Sequence, residues 1–246
     1  MGPPKNIEKR MMNRKSKVCI PIAAKEEWQA FLVTMTINEQ DCKSFPYGVY
    51  IELLINDWHC VFYHSGATKT RSAGACQYAI DNWHPRRIIL LGTAGGVGAD
   101  LQNLDLVVAS KTSQYDCIEG MSAKIDFFYE IFNEEIDNSW IDFSKLPNRT
   151  FHGLIATADM DVGFSKAEDL RKYDVLAADW ESGAISHICR INEVPHCIIR
   201  GVSDVPKSDS PEDIKKQQIE FLKNTPIIME LLLRNVLPAL LSMEKN

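Results

Sequence analysis

A continuous apolar run from Ile88 to Leu91 follows two arginines and leads into a glycine-rich segment that extends from Gly92 to Gly98. Such an uninterrupted run is typical of a strand that is buried on both faces of a parallel or mixed sheet. Glycines directly after a buried strand let the backbone approach a ligand closely, and open α/β sheets bind ligands at the carboxyl ends of their strands. The pattern predicts an α/β fold with a ligand site at this loop, or, as the simpler alternative, a tight turn only.

The rest of the chain alternates strand-like and helix-like segments. Strands are predicted at residues 18–22, 48–55, 58–64, 87–91, 104–110, 151–158, 175–178 and 194–202. Helices are predicted at residues 25–33, 68–82, 165–172, 181–192 and from 210 to about 244, with one more helix and loops within 115–147. Asn56-Asp57 predicts a hairpin turn, Ser165 and Ser210 are predicted helix caps, and Pro226 is expected to interrupt the last helix. This alternation predicts a single three-layer α/β/α domain over residues 17–246, built on a central mixed, largely buried β-sheet.

Charge and composition exclude several classes of protein. There are 33 acidic and 27 basic side chains, a net charge of −6, which disfavours nucleic acid and anionic membranes as main partners. No stretch approaches about 18 consecutive apolar residues, and the basic residues 1–16 lack the apolar run of a signal peptide, so we predict a disordered leader. Seven cysteines without a C-x-x-C pair predict reduced thiols in a cytoplasmic protein, and the histidines show no ligand spacing. We therefore expect neither a metal nor another cofactor.

The glycine-rich segment does not match a dinucleotide-binding fingerprint. Its glycines lack the G-x-G-x-x-G spacing, and the segment is followed by another predicted strand, whereas the fingerprint opens a helix.

Two acidic residues follow predicted strands and are better candidates for chemistry. Glu181 begins a helix directly after a strand, and Asp204 follows the strand that ends near Val202. Two carboxylates at the ligand-binding edge of a sheet can hold a ribose and protonate a base. Each also has a simpler explanation, since acidic residues favour helix N-termini and aspartate favours turns. The residues alone therefore predict an α/β protein with an acidic ligand site.

Four short motifs allow a more specific prediction of the function. In order along the chain they are Ser65-Gly66-Ala67-Thr68-Lys69, Gly92-Thr93-Ala94-Gly95-Gly96, Ala178-Asp179-Trp180-Glu181-Ser182 and Arg200-Gly201-Val202-Ser203-Asp204-Val205. Together they resemble the nucleoside phosphorylase and nucleosidase superfamily, and within it most of all the 5'-methylthioadenosine/S-adenosylhomocysteine nucleosidases. The likeness extends from Lys17 to the C-terminal helix. It implies hydrolysis of the N-glycosidic bond of an adenine-type nucleoside such as methylthioadenosine or adenosylhomocysteine.

The resemblance implies a role for the residues around the two carboxylates. Asp204 matches the acid that protonates N7 of the departing purine, with a pKa raised by burial and a carboxyl oriented by Ser203. Glu181 matches the residue that binds the ribose hydroxyls and favours the positive charge that develops on the sugar. Trp180 stands where many relatives carry methionine, and it either packs on the ribose or belongs to the core.

The nucleophile is expected to be a water molecule activated from the other face of the sugar. The resemblance places Glu27 at the general-base position, and a shift of one residue would make Glu26 the candidate. Thr93 and Arg200 match groups that orient this water or the carboxylates around it, although Arg200 is equally consistent with a structural ion pair.

Further substrate contacts are expected from Ala94 and Gly95 in the glycine-rich segment and from Val162. Asp161 departs from the pattern, because relatives that bind adenine usually offer a phenylalanine there for stacking on the base. Phe164 or Trp180 is the alternative source of a stacking ring. An Asp161 that faces the base would accept a hydrogen bond from an exocyclic amine.

Phosphorylases of this superfamily bind phosphate with arginines, because a dianion needs paired guanidinium donors. One of these arginines lies two residues before the loop glycine, where this chain has Leu90. Another lies in an N-terminal motif, and residues 20–27 of this chain contain no arginine, so water is predicted as the nucleophile. Phosphorolysis and a catalytically silent nucleoside-binding protein on the same scaffold are the alternatives. Gln114-Tyr115-Asp116 resembles the segment that reaches a second subunit in relatives, and it predicts a homodimer.

Overall fold

The computed structural model describes residues 17–117 and 133–244, so the predicted leader and part of the 115–147 region lie outside the described residues. The strands are β1 (Lys17–Ile22), β2 (Lys43–Phe45), β3 (Gly48–Ile55), β4 (Trp58–His64), β5 (Arg87–Gly96), β6 (Leu106–Gln114), β7 (Glu134–Glu135), β8 (Thr150–Thr157), β9 (Val175–Asp179) and β10 (His196–Asp204). The helices are α1 (Lys25–Met35), α2 (Lys69–Trp83), α3 (Phe164–Arg171), α4 (Ser182–Ile191), α5 (Pro211–Leu231) and α6 (Leu237–Met243). Short 3-10 turns lie at Glu39–Asp41 and Phe143–Lys145.

The strands form one mixed sheet in the order β10-β6-β8-β9-β5-β1-β4-β3-β2, with β7 beside β6. β5 is parallel to β1 and β10, whereas it is antiparallel to β9. Because β5 pairs with both β9 and β10, the strands β5, β10, β6, β8 and β9 close into a ring. The predicted mixed α/β fold with a central sheet is confirmed, and the closure of half of the sheet is a feature that the sequence pattern did not indicate.

Helices pack on both faces of the sheet because each face is apolar. On one face, Trp28 and Phe31 of α1 join Ile228 and Met229 of α5 in a buried cluster. On the other face, α2 and α4 pack together, and Cys76 lies with α4 side chains in a second cluster. The buried side of α4 carries Ala184, Ile185 and Cys189, as its helical spacing predicts.

The glycine-rich segment is part of a strand, which corrects the prediction that β5 ends at Leu91. Residues Gly92 to Ala94 pair with β10, and Gly95 pairs with Ala178 of β9. Hydrogen bonding from two neighbouring strands therefore outweighs the low strand propensity of glycine. A Cβ at Gly92 would lie 2.2 Å from Nη1 of Arg200, so the absence of a side chain here makes room for a buried guanidinium.

Two helix predictions were wrong in detail. Ser165 does not cap α3, because the cap position is Gly163 and the Ser165 N–H donates instead to the Asp209 carboxylate at 3.0 Å. Pro226 does not interrupt α5, which continues to Leu231 and then changes to a π-helical turn at Leu232–Val236. Buried residues on both sides of the proline hold this helix against the sheet, and their packing outweighs the loss of one backbone hydrogen bond.

Within the part of the chain that the structure describes, the stretch Pro211–Met243 has the length and composition of a membrane-crossing helix. Part of its apolar surface packs in the core, where Ile228, Met229 and Leu232 are fully buried. A buried core helix satisfies the same criteria of length and composition.

Candidate active site

A cavity of about 550 Å³ opens where the carboxyl ends of β5, β9 and β10 meet. The predicted site residues that line it are Glu27, Thr93, Ala94, Gly95, Asp161, Val162, Trp180, Glu181, Ser203 and Asp204. Arg200 is the exception, because it lies fully buried behind the cavity wall. The strand order brings together residues that are far apart in sequence, as the edge-of-sheet argument predicts.

Glu27 projects from the first turn of α1 and is 2% exposed, whereas the neighbouring Glu26 is exposed. Its Oε1 accepts hydrogen bonds from the Thr93 backbone N–H at 2.5 Å and from the Thr93 hydroxyl at 2.8 Å. Its Oε2 accepts from the Ala24 N–H at 3.0 Å in the manner of a capping box. Glu27 is therefore the glutamate of this pair that reaches the cavity, and its position is fixed by β5.

Arg200 is surrounded by three carboxylates. Its guanidinium contacts Asp179 at 2.7 Å and Glu181 at 2.8 Å, and it lies 3.9 Å from Glu27. Burial opposes the charge on Arg200, but the carboxylates outweigh burial and hold its pKa above the usual value. One guanidinium faces three carboxyl groups, so acidic groups outnumber the cation beneath this end of the cavity.

Glu181 occupies the N-cap position of α4, but its side chain makes no cap hydrogen bond and contacts Arg200 and Thr68 instead. Its Oε2 accepts from Arg200, and its Oε1 accepts from the Thr68 N–H at 3.4 Å. Thr68 has a φ of +97°, which residues other than glycine rarely adopt, and such strain is typical of ligand sites. Burial raises the pKa of Glu181 despite the opposing effect of Arg200, and the charge of Asp179 adds to the rise.

Asp179 is a site residue that sequence analysis did not single out, although it belongs to one of the motifs. Its Oδ1 accepts from the Ser182 N–H at 3.1 Å and from the Thr157 hydroxyl at 2.7 Å, so it binds the first backbone N–H of α4 from a position before the N-cap. Its Oδ2 also accepts from Arg200. Asp179 thus fixes both the helix that begins after Glu181 and the arginine that holds Glu181.

Asp204 ends β10 and is 9% exposed. Its Oδ1 accepts from the Ser203 hydroxyl at 2.5 Å, and its Oδ2 accepts from Nε2 of Gln217 at 2.9 Å. Burial raises the pKa of Asp204, and these two hydrogen bonds, which favour the ionised form, reduce the rise without cancelling it. The nearby acidic groups Glu220 and Asp161 add to the rise.

Helix α5 forms a wall of the cavity that the sequence analysis missed. Ile214, Gln217, Gln218 and Phe221 line the cavity from this helix. Their i, i+3, i+4 and i+7 spacing places them on one face, which was the available signal. Of the two rings considered for base stacking, Trp180 lines the cavity and Phe164 does not. Phe221 of α5 also lines the cavity, so Trp180 and Phe221 both offer an aromatic surface to a ligand.

The described lining of the cavity is acidic. Five carboxylates contribute to it, from Glu27, Asp161, Asp179, Glu181 and Asp204. No lysine, arginine or histidine is among the described residues that line it. A phosphate dianion requires cationic donors, so this lining is better suited to a neutral or cationic ligand.

The family model of the Phosphorylase superfamily matches residues 34–234. The chain therefore belongs to the phosphorylase superfamily, in agreement with the resemblance seen in its motifs.

The chain is also similar to individual nucleosidases and hydrolases. The 5'-methylthioadenosine/S-adenosylhomocysteine nucleosidase of Chromohalobacter salexigens is 26% identical over 166 residues, which are 61% of this chain and 68% of the relative. The structure of an S-adenosylhomocysteine nucleosidase from Streptococcus pyogenes in complex with 5-methylthiotubericidin aligns with a TM-score of 0.75 at 20% identity, covering 94% of this chain and 98% of the other. A futalosine hydrolase of Helicobacter pylori aligns with a TM-score of 0.73 at 18% identity, covering 91% and 97%. At these identities the two structures establish the fold.

Proposed function

We propose that this protein hydrolyses the N-glycosidic bond of an adenine-type nucleoside, with methylthioadenosine and adenosylhomocysteine as the leading substrates. The observation that carries the proposal is the arrangement of carboxylates along β5. Glu27 is hydrogen-bonded to Thr93, and Asp204 lies beside Gly95, so the two side chains meet β5 at positions that are two residues, or about 7 Å, apart along the strand. A buried acid and a hydrogen-bonded carboxylate that face one cavity from neighbouring positions can act on the two sides of one nucleoside. The names of the relatives agree with this chemistry.

Asp204 is the proposed general acid. A purine anion is a poor leaving group, so the C1'–N9 bond breaks more easily when N7 receives a proton as the bond lengthens. Burial raises the pKa of Asp204 and so favours the protonated form that a general acid needs, and the Ser203 hydroxyl fixes the orientation of the carboxyl group. Ala94, Gly95 and Val162 form the walls of the proposed base pocket, and Asp161 at its exposed rim is an acceptor for an exocyclic amine.

Glu181 is the proposed ribose-binding residue. One of its oxygens is held by Arg200, which fixes the side chain against the cavity. A carboxylate in this place accepts hydrogen bonds from the sugar hydroxyls and stabilises the positive charge that develops on the ring in the transition state. Trp180 supplies a neighbouring apolar surface for the sugar.

Glu27 is the proposed general base. It removes a proton from a water molecule whose oxygen bonds to C1' as the base departs, so that the products are the free purine and the ribose derivative. Thr93 orients the Glu27 carboxylate. Arg200 does not reach the cavity, and we assign it as a positioning residue that acts through Glu181, Asp179 and Glu27.

Hydrolysis is favoured over phosphorolysis by the charge of the described lining. The Arg200 guanidinium is fully buried behind the cavity wall and pairs with Asp179 and Glu181, so it is not presented to a phosphate in the cavity. We therefore propose water as the nucleophile. We also propose a homodimer, in which Gln114, Tyr115 and Asp116 at the end of β6 lie near the second subunit.

The proposal is tested by incubating the full chain with methylthioadenosine, adenosylhomocysteine, adenosine and inosine, each with and without phosphate. We expect release of adenine and the free sugar at a rate that does not depend on phosphate. Release of a sugar 1-phosphate would identify a phosphorylase. Binding of these nucleosides without release of any base would identify a silent binding protein.

A further inference from the structure

The amide group of Gln217 joins two parts of the proposed base pocket. Its Nε2 donates to Oδ2 of Asp204 at 2.9 Å and to the carbonyl oxygen of Val162 at 3.2 Å. A primary amide nitrogen carries two N–H groups, and these two contacts use both. Two acceptors from separate segments, β10 and the loop before α3, therefore converge on one NH₂ group.

These two acceptors match one edge of a 6-aminopurine. Adenine presents N7 as an acceptor and, beside it, the 6-amino group as a donor. A 6-oxopurine also presents N7, but it carries an oxygen acceptor at position 6. In the proposed reaction Asp204 must approach N7. Its Oδ2 and the Val162 carbonyl then face the group at position 6, where two acceptors favour an NH₂ and oppose an oxygen.

We propose that Gln217 occupies the place of the 6-amino group, competes with it for the same two acceptors and is displaced when a 6-aminopurine binds. This inference rests on the proposed function of the cavity. An amide NH₂ and an aryl NH₂ make the same two hydrogen bonds, so the side chain and the ligand compete for one position. Gln217 keeps both buried acceptors paired while the pocket contains no base, which avoids the cost of leaving them unpaired.

The position of Gln217 on α5 allows the exchange. It lies in the second turn of that helix, and the neighbouring Ile214 and Gln218 are both exposed. A glutamine side chain at such a site can rotate outward without displacing the helix.

The test compares the full-length protein with Gln217→Leu and Gln217→Met, which remove the amide at similar size. The control is Gln29→Leu, because Gln29 is an exposed glutamine of a helix, α1, and does not line the cavity. Isothermal titration calorimetry measures binding of free adenine and of hypoxanthine. Steady-state kinetics with methylthioadenosine then separates KM from kcat.

We expect both Gln217 variants to bind adenine about 2- to 10-fold more tightly, the equivalent of one competing hydrogen bond. Hypoxanthine affinity is expected to change less than twofold in these variants, and both affinities are expected to change less than twofold in Gln29→Leu. For methylthioadenosine, KM is expected to fall by a larger factor than kcat changes. Weaker or unchanged adenine binding would overturn the inference, as would equal tightening for both bases or no adenine binding by any of the proteins. Adenine binding requires no turnover, so tighter binding in the variants would uphold the inference even if the protein hydrolysed no nucleoside.

Discussion

Thr93 donates two hydrogen bonds to one oxygen of Glu27, from its backbone N–H at 2.5 Å and from its hydroxyl at 2.8 Å. The two residues are 66 positions apart in the chain, and this contact joins the first turn of α1 to the glycine-rich part of β5. A carboxylate held in this way has little freedom to rotate, which suits a group that must activate a water molecule at a defined place.

Glu27→Gln is therefore expected to lower kcat by about 10²-fold or more, because the amide oxygen of a glutamine can still accept the two hydrogen bonds from Thr93 but the side chain cannot accept the proton of water. Rates of adenine release measure the effect. Glu26→Gln is the matched control, since Glu26 is adjacent but exposed, and it should leave the rate nearly unchanged. Equal effects of the two substitutions would remove Glu27 from the role of general base.

Asp204→Asn is expected to lower kcat by roughly 10²-fold or more, because an amide cannot deliver a proton to N7. The fold should be retained. A buried carboxyl with a raised pKa costs stability as pH rises above its usual range, so thermal unfolding at pH 8 should occur at an equal or higher temperature in the variant. Near-normal turnover would show that Asp204 is not the acid.

The pH dependence of kcat/KM follows from the direction of the Asp204 pKa. The acid must be protonated to act, so activity should fall as pH rises through its pKa, and that fall should lie above the ordinary aspartate range. Ser203→Ala removes a hydrogen bond that favours the ionised form and should move the fall to higher pH. A shift to lower pH on this substitution would contradict the assignment.

Arg200→Met is expected to destabilise the protein by about 3–5 kcal/mol or to prevent folding, because it leaves buried carboxylates without their cation. Arg200→Lys keeps a charge but not the planar fork that contacts several carboxylates, so its effect should be smaller. Urea unfolding measures both. If Arg200→Met folded with unchanged stability, the arginine would not hold the network together.

Gly95→Ala is expected to raise KM at least severalfold while the fold is retained. The added Cβ would lie 2.8 Å from Val162 Cγ1 and 3.9 Å from Oδ2 of Asp204, inside the proposed base pocket. Gly98→Ala is the control from the same segment, because its Cβ would meet Leu176 at 3.2 Å and lies away from the acid. Equal KM values for the two variants would place the base elsewhere.

Much of the architecture was predictable from local patterns. Continuous apolar runs identified the buried strands, and Asn56-Asp57, both with positive φ, identified the hairpin between β3 and β4. The Ser210-Pro211 start of α5 was also correct, because a cap and a proline at the first position act through neighbouring atoms.

Features that depend on distant residues were not predictable in this way. Extension of β5 through its glycines requires β9 and β10 on either side, and persistence of α5 through Pro226 requires the sheet beneath it. The contact of Asp179 with Arg200 and the place of Gln217 in the cavity likewise follow from contacts between separate elements.

The sequence by itself determined that the chain is a mixed α/β protein and which carboxylates stand at strand ends, because hydrophobic period and short motifs act over a few residues. Only the tertiary structure decided that Glu27 and not Glu26 enters the cavity, that Arg200 lies behind its wall, and that α5 closes one side. The physical reason is that burial, charge pairing and hydrogen bonding in this site join residues that are tens to more than a hundred positions apart, and no local pattern records which of them will meet.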